Sequence, residues 1–518
     1  MKIPERNLVI KKWKDFKYKF ALCYPNEYRA GISNLGMQLL YFLLNENNNI
    51  ICERFYYLKK KEAKPTSIES SRTLNEFDII GFSLQYENDY HNVLSMLNQS
   101  SIPIKSIDRK DGFPLIIAGG PITTNPIPLK PFIDLFIIGD FEPIYEKFFE
   151  ILIESRNKND FLEHIVSVQG IYVPSYEPKK VLKSIQLDLN TSYHPIQQVI
   201  PTSQQKLEKK VAFQESMLVE VSRGCPRECN FCMIGCQARP FRTRKLKYLK
   251  EIILNGLKIN KLKKITLIGA GISDHPELVD ICKFLVENQI QFSVPSIRID
   301  KISEDLLDVL KLSGNRTLTV AIEASSPHLR KKISKDINNE KIFQTLSLLK
   351  EYEISNIKFY FMIGLPTENE EDVKKIPKFY SKVNMMGYST RSLKLSVNPF
   401  IPKPHTPFQW HEMPNNQYFN AMFKFLNKSI PITQIENQEA KLSFMQGCLS
   451  LGNELHSRIL ELTLKYGNNL GNWRRIFNEL KMPFKVPNYN IDEELPWDFI
   501  DVGIDKTLLK NKWIEVIK

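Results

Sequence analysis

The residues best suited to chemistry in this chain are three cysteines on one short stretch. Cys225, Cys229 and Cys232 follow the spacing C-x3-C-x2-C. A loop can wrap three thiolates around one centre, whereas a strand would point alternate side chains to opposite faces. Soft thiolate ligands select zinc, copper(I) or an iron–sulfur cluster. A structural zinc usually takes four ligands in separated pairs, and no second pair is present, so three ligands leave one metal position open.

A fourth cysteine, Cys236, follows four residues later. It could act as a fourth ligand, but we expect a spare thiol beside the loop, because a fourth protein ligand would close the open position. Eight cysteines in 518 residues do not form a disulfide framework. A tight cluster of cysteines in such a chain indicates metal or redox chemistry.

Composition predicts a folded protein of two to four domains. The chain has 518 residues, of which 42% are hydrophobic and 25% are charged, and this excludes collagen-like and disordered classes. The net charge of +13 carries little weight because the basic residues are spread thinly. Residues 1–14 lack the apolar core of a signal peptide, and no run approaches the ~18 apolar residues of a membrane span. We therefore expect a reduced, cytoplasmic protein without a transmembrane segment.

Alternating strands and helices must position the three cysteines. From residue 216 onward, amphipathic helices separate six strand candidates: Met217–Val221, Lys264–Ile268, Gln291–Pro295, Thr317–Ile322, Ile357–Ile363 and Leu393–Val397. Successive strand–helix units imply parallel strands joined by right-handed crossovers. Because six units are too few for the eight-stranded barrel, we predict a partial (β/α)6 barrel over residues 216–410, with its site at the carboxyl ends of the strands.

Residues 1–150 carry a second α/β pattern. Short apolar runs that end near Gly, Pro or Asn lie at Tyr18–Tyr24, Asp78–Leu84, Pro114–Ala118 and Leu135–Ile138. Such runs are typical of a buried parallel sheet of the Rossmann or flavodoxin type, which binds ligands at the carboxyl ends of its strands. We predict that residues 151–215 form a linker segment with little regular structure and that residues 411–518 form a small helical region.

The cysteine motif resembles that of the radical S-adenosylmethionine (SAM) superfamily. The spacing, the aromatic Phe231 before the third cysteine, and the position after the first strand of a six-unit barrel all agree with that family. The resemblance implies that Cys225, Cys229 and Cys232 hold three irons of a [4Fe–4S] cluster and that SAM chelates the fourth. It also implies that one electron from the cluster cleaves SAM to a 5′-deoxyadenosyl radical, which abstracts hydrogen from the substrate.

The ends of the later barrel strands also resemble this superfamily. Gly269 follows the second strand and Arg298 the third, while Glu323 lies in a segment similar to the family's Glu-Ser-Gly-Ser element. Gly364 and Pro366 belong to a turn similar to the family's Gly-x-Pro-Gly-Glu turn. The resemblance implies that Glu323 binds the ribose of SAM and that Arg298 faces its carboxylate or ribose. The alternatives are a glutamate at a helix start and a surface arginine.

The sequence departs from the family pattern at two of these turns. No Glu follows Gly269, so the amino group of SAM would meet only backbone carbonyls, and Thr367 replaces a glycine of the family. The Pro-rich segment 398–408 is similar to the closing segment of methylthiotransferases and cobalamin-binding radical enzymes. In this segment Lys403 and His405 are candidate substrate contacts, or simply surface residues of a stiff loop.

The N-terminal region resembles the cobalamin-binding domains that precede the barrel in this superfamily. The family's Asp-x-His-x-x-Gly, Ser-x-Leu and Gly-Gly elements correspond here to residues 26–31, Ser83 and Gly119-Gly120. Tyr28 replaces the histidine that would bind cobalt, so cobalamin would lack a protein imidazole. The alternative is a domain that has lost cobalamin and only shapes the substrate channel, since fold alone does not give function.

These features predict a radical SAM enzyme, a transferase or oxidoreductase that methylates or forms a bond at an unactivated carbon. Its cofactors would be a [4Fe–4S] cluster, SAM and, if the N-terminal domain retains it, cobalamin. We expect a small-molecule, lipid or peptide substrate and an electron donor such as flavodoxin or ferredoxin; nucleic acid is disfavoured. The alternatives are a non-catalytic iron–sulfur protein and a methylthiotransferase acting on RNA or protein. The latter usually has three further N-terminal cysteines, where this chain has Cys23 and Cys52.

Overall fold

The computed structural model describes residues 3–59, 64–109, 114–202, 211–213, 215–294 and 296–518. In these ranges the strands are β1 Glu5–Arg6, β2 Tyr18–Tyr24, β3 Ile50–Tyr56, β4 Ile79–Ser83, β5 Leu115–Gly119, β6 Leu135–Ile137, β7 Ile171–Tyr172, β8 Val181–Leu182, β9 Ile200–Pro201, β10 Met217–Glu220, β11 Ser222–Arg223, β12 Arg242–Thr243, β13 Lys264–Ile268, β14 Gln291–Ser293, β15 Thr317–Glu323, β16 Asn356–Ile363, β17 Leu393–Pro399, β18 Ile435–Glu436 and β19 Ile500–Asp501.

The α-helices of the same ranges are α1 Tyr28–Gly31, α2 Leu35–Glu46, α3 Tyr90–Gln99, α4 Tyr145–Glu154, α5 Lys158–Ile165, α6 Met233–Gln237, α7 Leu246–Asn260, α8 Leu278–Glu287, α9 Glu304–Leu312, α10 Pro327–Lys332, α11 Asn339–Glu351, α12 Glu370–Val373, α13 Lys375–Met385, α14 Asn416–Ser429, α15 Ala440–Ser450, α16 Glu454–Tyr466, α17 Leu470–Glu479 and α18 Lys506–Ile517. Among the described residues, none of the helices is both long and apolar enough to cross a membrane.

The first half of the described chain contains the N-terminal sheet, in the order β3-β2-β4-β5-β6-β7. Strands β2 to β6 are parallel and β7 is antiparallel. Counted from β2, the parallel strands follow the order 2-1-3-4-5 of flavodoxin-like folds, in which ligands bind where the strand order reverses. Alternate residues of β2 join two different apolar clusters, one with α2 and one with α3, so helices cover both faces. The predicted parallel sheet is confirmed.

Strand β3 was not predicted from the sequence. It is buried along its whole length, yet the charged pair Glu53-Arg54 interrupts its apolar run. In the structure Arg54 is 2% exposed, and it forms ion pairs with Glu5 and Glu69 at 2.7 Å each. Because buried charges are tolerated when they are paired, residues that are distant in sequence make this strand possible.

The second half contains the barrel. Strands β10-β13-β14 form one parallel sheet and β15-β16-β17-β18 another. A parallel bridge between Ile297 and Val320 links the two. The six predicted strands are confirmed within a residue or two at each end; Pro295, the predicted end of the third, lies outside the described residues. On β15 and β16 buried residues alternate with more exposed ones, so one face packs against helices and the other lines the concave interior.

Residues 151–215 hold more regular structure than the sequence predicted. Within their described part, β7 extends the N-terminal sheet, β9 pairs with β1, and β8 pairs in parallel with β19 near the other end of the chain. Two-residue strands leave almost no periodic signal in a sequence, and only their partners in the fold reveal them. The domain boundaries at 150, 215 and 410 stay predictions.

The C-terminal region is mainly helical, as predicted. Helices α15 and α16 are separated at residues 451–453, where Asn453 caps α16. Helix α18 packs Trp513 and Val516 into an apolar cluster with Phe400 and other residues that follow the barrel strands. The C-terminal region thereby contributes a wall to the carboxyl end of the barrel.

Candidate active site

The cysteines lie on a loop that is closed at its base by a short antiparallel clip. Strand β11 pairs with β12, so residues 224–241, called the cysteine loop below, extend from this clip directly after β10. Gly224 has φ 79°, and a Cβ atom there would lie 2.0 Å from the carbonyl oxygen of Ala238. Glycine is therefore required where the two ends of the loop cross.

The three predicted ligands are free thiols that influence one another. Cys229 is buried, while Cys225 and Cys232 are half-buried. Burial raises the pKa of the Cys232 thiol to about 11, and the charges of Cys229 and Cys225 add to this shift. Burial, and then the charge of Cys232, raise the pKa of the Cys236 thiol as well, so this coupling does not distinguish the three predicted ligands from the fourth cysteine. Metal binding would replace the thiol protons, since thiolates are the ligands.

Three cysteines on one loop form the donor set that we expect to hold a cluster. Among the described residues, no group of three or more Cys, His, Asp and Glu side chains is placed to hold one metal ion. A [4Fe–4S] cluster takes each thiolate on a different iron, so its ligands stand further apart than those of one ion. Cys236 lies one turn after Cys232 in α6 and is 4% exposed. Cys229 is buried as well, so burial does not separate a ligand from a spare thiol, and the role of Cys236 stays a prediction.

Charged groups from the ends of β14 and β15 lie beside the cysteines. The charges of Lys335, Arg298 and Glu323 all act on the pKa of Cys229, although burial dominates and raises it. Lys335 contacts Glu323 at 3.2 Å, and Arg298 contacts Asp300 at 3.0 Å. The structure thus brings Arg298 and Glu323 to the cysteine loop. Lys335 was missed in the sequence, where a lysine in a polar turn gives no signal.

Glu323 has a strained backbone. Its φ is 69°, and the register between β15 and β16 shifts between Ala321 and Glu323. A non-glycine residue in the left-handed region costs roughly 1–2 kcal/mol, and such strain concentrates at functional sites. At this irregular strand end the Glu323 carboxylate lies against Lys335.

The turn after β16 has a tightly determined backbone. Gly364 has φ 82°, its N–H donates to Glu368 at 2.5 Å, and its carbonyl accepts from His411 at 3.0 Å. Pro366 is buried in this turn. Thr367, which replaces the family's glycine, has φ 65°, so it keeps the glycine conformation at the cost of strain. The backbone at Thr367 is therefore in a conformation that glycine adopts without strain.

The turn after β13 packs directly on the cysteine loop. A Cβ atom on Gly269 would lie 2.2 Å from the Ser222 hydroxyl, and one on Gly271 would lie 3.1 Å from both Phe241 and Pro226. A glutamate at the second glycine, where the family often has one, would press against the loop. These contacts explain physically why small residues occupy this turn.

The proposed substrate contacts Lys403 and His405 are corrected by the structure. His405 is buried, its Nε2 contacts the carbonyl oxygen of Thr124 at 3.1 Å, and burial lowers its pKa to about 4. Lys403 forms an ion pair with the buried Glu87, which also accepts from Gln446 at 2.8 Å. Both residues join the closing segment of the barrel to the N-terminal half and are already engaged within the protein.

A cavity of about 370 Å³, called the sheet cavity below, lies at the carboxyl ends of the N-terminal strands. Sites for small molecules and cofactors measure ~300–1,000 Å³, so the volume is suitable. Of the residues that correspond to the family's cobalamin elements, Ser83, Gly119 and Gly120 line the cavity, whereas residues 26–31 do not. Its remaining wall comes from α2 and from the ends of barrel strands, through Glu220 and Ile268. The cavity therefore lies between the N-terminal sheet and the barrel.

Gly119 and Gly120 both line the cavity, but their surroundings restrict a side chain to different degrees. Gly120 has φ 124°, and a Cβ atom there would lie 2.2 Å from the carbonyl oxygen of Leu84, so the fold itself requires it. Gly120 also lines the cavity, so its contact with a cofactor stays a prediction. At Gly119 the nearest atom to an added Cβ would be Ile137 Cβ at 3.6 Å, which is ordinary contact. Gly119 is thus the position where a side chain could enter the cavity.

Tyr28 points away from the sheet cavity. Its hydroxyl lies 2.6 Å from a Glu5 carboxylate oxygen, and its ring packs edge-on against Tyr56. His91 is bound to Thr463 at 2.8 Å. Among the described residues, no histidine lines the cavity.

A thiolate loop at the carboxyl end of a parallel barrel, next to a cavity on a doubly wound sheet, defines a cofactor-dependent α/β enzyme. Family descriptions match the chain twice: "Radical SAM proteins, N-terminal" over residues 36–174 and "Radical SAM superfamily" over residues 219–380. The uncharacterized protein MJ0966 of Methanocaldococcus jannaschii is 31% identical over 85% of this chain and 90% of its own length. The chain belongs to the radical SAM superfamily.

Solved structures agree at the level of the fold. The chain is similar to the radical SAM methyltransferase TsrM of Kitasatospora setae with cobalamin and [4Fe-4S] cluster bound, at a TM-score of 0.50 and 13% identity, over 76% of this chain and 77% of TsrM. It is also similar to the cobalamin-dependent enzyme OxsB with aqua-cobalamin and SAM bound, at a TM-score of 0.50 and 13% identity, over 96% of this chain and 78% of OxsB. The protein is a radical SAM enzyme with an N-terminal region like that of cobalamin-dependent members.

The variant Glu323→Ala tests the expected contact with SAM. We expect the affinity of the cluster-loaded protein for SAM to fall about tenfold or more, because hydrogen bonds to charged groups contribute ~1.5–3 kcal/mol. Isothermal titration measures this. Glu353→Ala is a matched control, since Glu353 pairs with Arg316 before the amino end of β15. Unchanged affinity for SAM in Glu323→Ala would show that Glu323 does not contact SAM and only pairs with Lys335.

Proposed function

We propose that this enzyme cleaves SAM reductively with a [4Fe–4S] cluster bound by Cys225, Cys229 and Cys232. We further propose that cobalamin bound in the sheet cavity takes part in methylation or bond formation at an unactivated carbon. One observation carries the proposal: Arg223, directly before the cysteine loop, belongs to the wall of the sheet cavity. Two cofactors in these places would be neighbours, as joint action on one substrate requires.

The residues of the barrel would bind and orient SAM. Glu323 would accept from the ribose hydroxyls, Arg298 would pair with the methionine carboxylate, and the backbone of the Gly364 turn would lie against adenine. The cluster would supply the electron that cleaves the sulfonium. The apolar group that contains Phe231, Phe400 and Trp513 borders this space and would exclude water from a reactive intermediate.

The volume and position of the sheet cavity support a binding site for the tail of cobalamin, and its lining residues predict how cobalt would be ligated. With Tyr28 bound to Glu5 and directed elsewhere, we expect base-off cobalamin without a histidine nitrogen on cobalt. Electron paramagnetic resonance of the cobalt(II) form should show no splitting by an axial nitrogen. If splitting occurs, protein labelled with ¹⁵N-histidine will distinguish a histidine ligand, which would contradict the expectation, from the cofactor's own base.

The methylthiotransferase alternative receives less support from the geometry. It usually needs a second cluster on N-terminal cysteines. Cys23 and Cys52 are buried in β2 and β3, where their side chains join different apolar clusters on the two faces of the sheet. Burial raises the pKa of both thiols well above the ordinary value. These positions indicate core residues of the sheet.

Anaerobic reconstitution tests the proposed function. The loaded protein should release 5′-deoxyadenosine from SAM with dithionite, flavodoxin or ferredoxin as the electron donor. It should also retain hydroxocobalamin through gel filtration at about one per chain. A loaded cluster without any SAM cleavage would refute the radical function, whereas cleavage without cobalamin binding would refute only the cobalamin part. For the substrate class, which we propose to be a small molecule, lipid or peptide, metabolite and lipid profiles of a deletion strain should be compared.

A further inference from the structure

Arg223 lies where the sheet cavity meets the cysteine loop. It is the last residue of β11, directly before Gly224, and its side chain lines the cavity. The guanidinium contacts Glu142 at 2.7 Å and Asp140 at 3.2 Å, both in the segment after β6. It also contacts Glu220, at the end of β10, at 2.9 Å. One side chain thus joins the N-terminal sheet, the first barrel strand and the base of the cysteine loop.

The other strand of the clip is bound to the same wall of the cavity. Arg242 of β12 contacts Asp140 at 2.7 Å, and it also donates to the carbonyl oxygens of Pro240 and Ala238 within the cysteine loop. Asp140 therefore contacts both strands from which the loop extends. A displacement of this carboxylate would be transmitted to both ends of the loop.

The ion pairs of this group are only partly shielded from solvent. The side chains of Arg223, Asp140, Glu142 and Glu220 are 11–19% exposed, and all four line the sheet cavity. A ligand that fills the cavity would exclude water from them. Charge interactions strengthen as the local dielectric constant falls. A ligand that leaves these ion pairs intact would therefore strengthen the contacts that fix the clip of β11 and β12.

We propose that Arg223 is a positioning residue that couples occupancy of the sheet cavity to the cysteine loop. This inference rests on the proposed function, because it takes the cluster to bind on the loop and cobalamin to bind in the cavity. It adds that the two cofactors bind cooperatively. The coupling must be reciprocal, since each ligand changes the affinity of the other by the same factor.

Titration of the full-length chain with hydroxocobalamin, followed by absorbance, tests the coupling without any activity measurement. We expect cluster-loaded protein to bind hydroxocobalamin about fivefold or more tightly than cluster-free protein, the lower end of typical coupling. In Arg223→Met both cofactors should still bind, but the ratio of the two affinities should fall to about one. A merely structural role would weaken both affinities and leave their ratio unchanged. Equal affinities in the wild-type protein would overturn the inference.

Two further variants keep the test decisive if Arg223→Met folds poorly. Glu142→Gln removes one charge from the group at nearly constant shape and should lower the affinity ratio while the melting temperature stays close to that of wild type. Arg54→Met is the matched control, because Arg54 is also paired with carboxylates, those of Glu5 and Glu69, but does not line the cavity. An equal loss of coupling in Arg54→Met would overturn the inference. Absence of any binding in the wild type would overturn both the cobalamin proposal and this inference.

Discussion

Changing Cys225, Cys229 or Cys232 to alanine is expected to abolish the iron–sulfur cluster. Each thiolate holds a separate iron, so the loss of one leaves a cluster with two protein ligands on a loop that is partly open to solvent. Anaerobically prepared wild-type protein should contain about four irons per chain, and the three variants should lose this iron together with its visible absorption. Iron and sulfide analysis with absorption spectroscopy measures the result. SAM cleavage should disappear with the cluster.

Cys236→Ala is the matched control for these variants. It removes the same side chain from the same loop, at a position that is 4% exposed. We expect it to keep the iron content, the visible absorption and SAM cleavage. Loss of the cluster in Cys236→Ala would contradict the assignment of three ligands and an open iron.

Gly119→Leu is expected to abolish cobalamin binding while the cluster remains. The added side chain would project into the sheet cavity of about 370 Å³. Gly119 is the last residue of β5, so extended backbone accepts a side chain there. Overpacking a fitted site costs up to ~3 kcal/mol, which corresponds to a loss of affinity of about a hundredfold. Absorbance titration with hydroxocobalamin measures this loss, and iron content with SAM cleavage shows whether the barrel is intact.

Gly119→Ala provides the graded control for this change. A Cβ atom at this position would make only ordinary contact, at 3.6 Å from Ile137 Cβ. We therefore expect Gly119→Ala to bind hydroxocobalamin with nearly wild-type affinity. Equal affinity in Gly119→Leu would show that cobalamin binds outside the sheet cavity, and loss of the cluster in Gly119→Leu would indicate a general folding defect.

The cysteine loop and the barrel strands could be predicted from the sequence because their signals are local. Three thiols within eight residues must lie on one loop, and this does not depend on the rest of the fold. An apolar run such as Lys264–Ile268 shows its strand character in five residues, and its observed bounds agree with the prediction. The turn at Gly364 is also local, since its backbone conformation is set by neighbours such as Glu368. Short-range patterns of this kind depend little on tertiary context.

The misassigned residues show where such local reasoning ends. From the sequence, His405 and Lys403 are predicted to be surface residues of a stiff loop or substrate contacts. Their partners in the fold are distant in the chain: Thr124 is 281 positions from His405, and Glu87 is 316 positions from Lys403. Polar residues can be buried when partners satisfy them, and those partners cannot be assigned from one sequence. At Gly120 the carbonyl oxygen of Leu84 occupies the space that a side chain would need, and the sequence does not reveal this contact.

The sequence by itself determined the class of chemistry, that of a radical SAM enzyme. The spacing of the cysteines and the order of the strands are both visible in short segments of the chain. Tertiary structure alone decided how the two halves of the chain meet. The sheet cavity is assembled from residues as far apart as Phe20 and Ile268, and Arg223 reaches Glu142 across 81 positions. The physical reason is that a cavity and a buried ion-pair group are properties of surfaces brought together by folding. No local pattern of hydrophobicity, charge or turn residues encodes them.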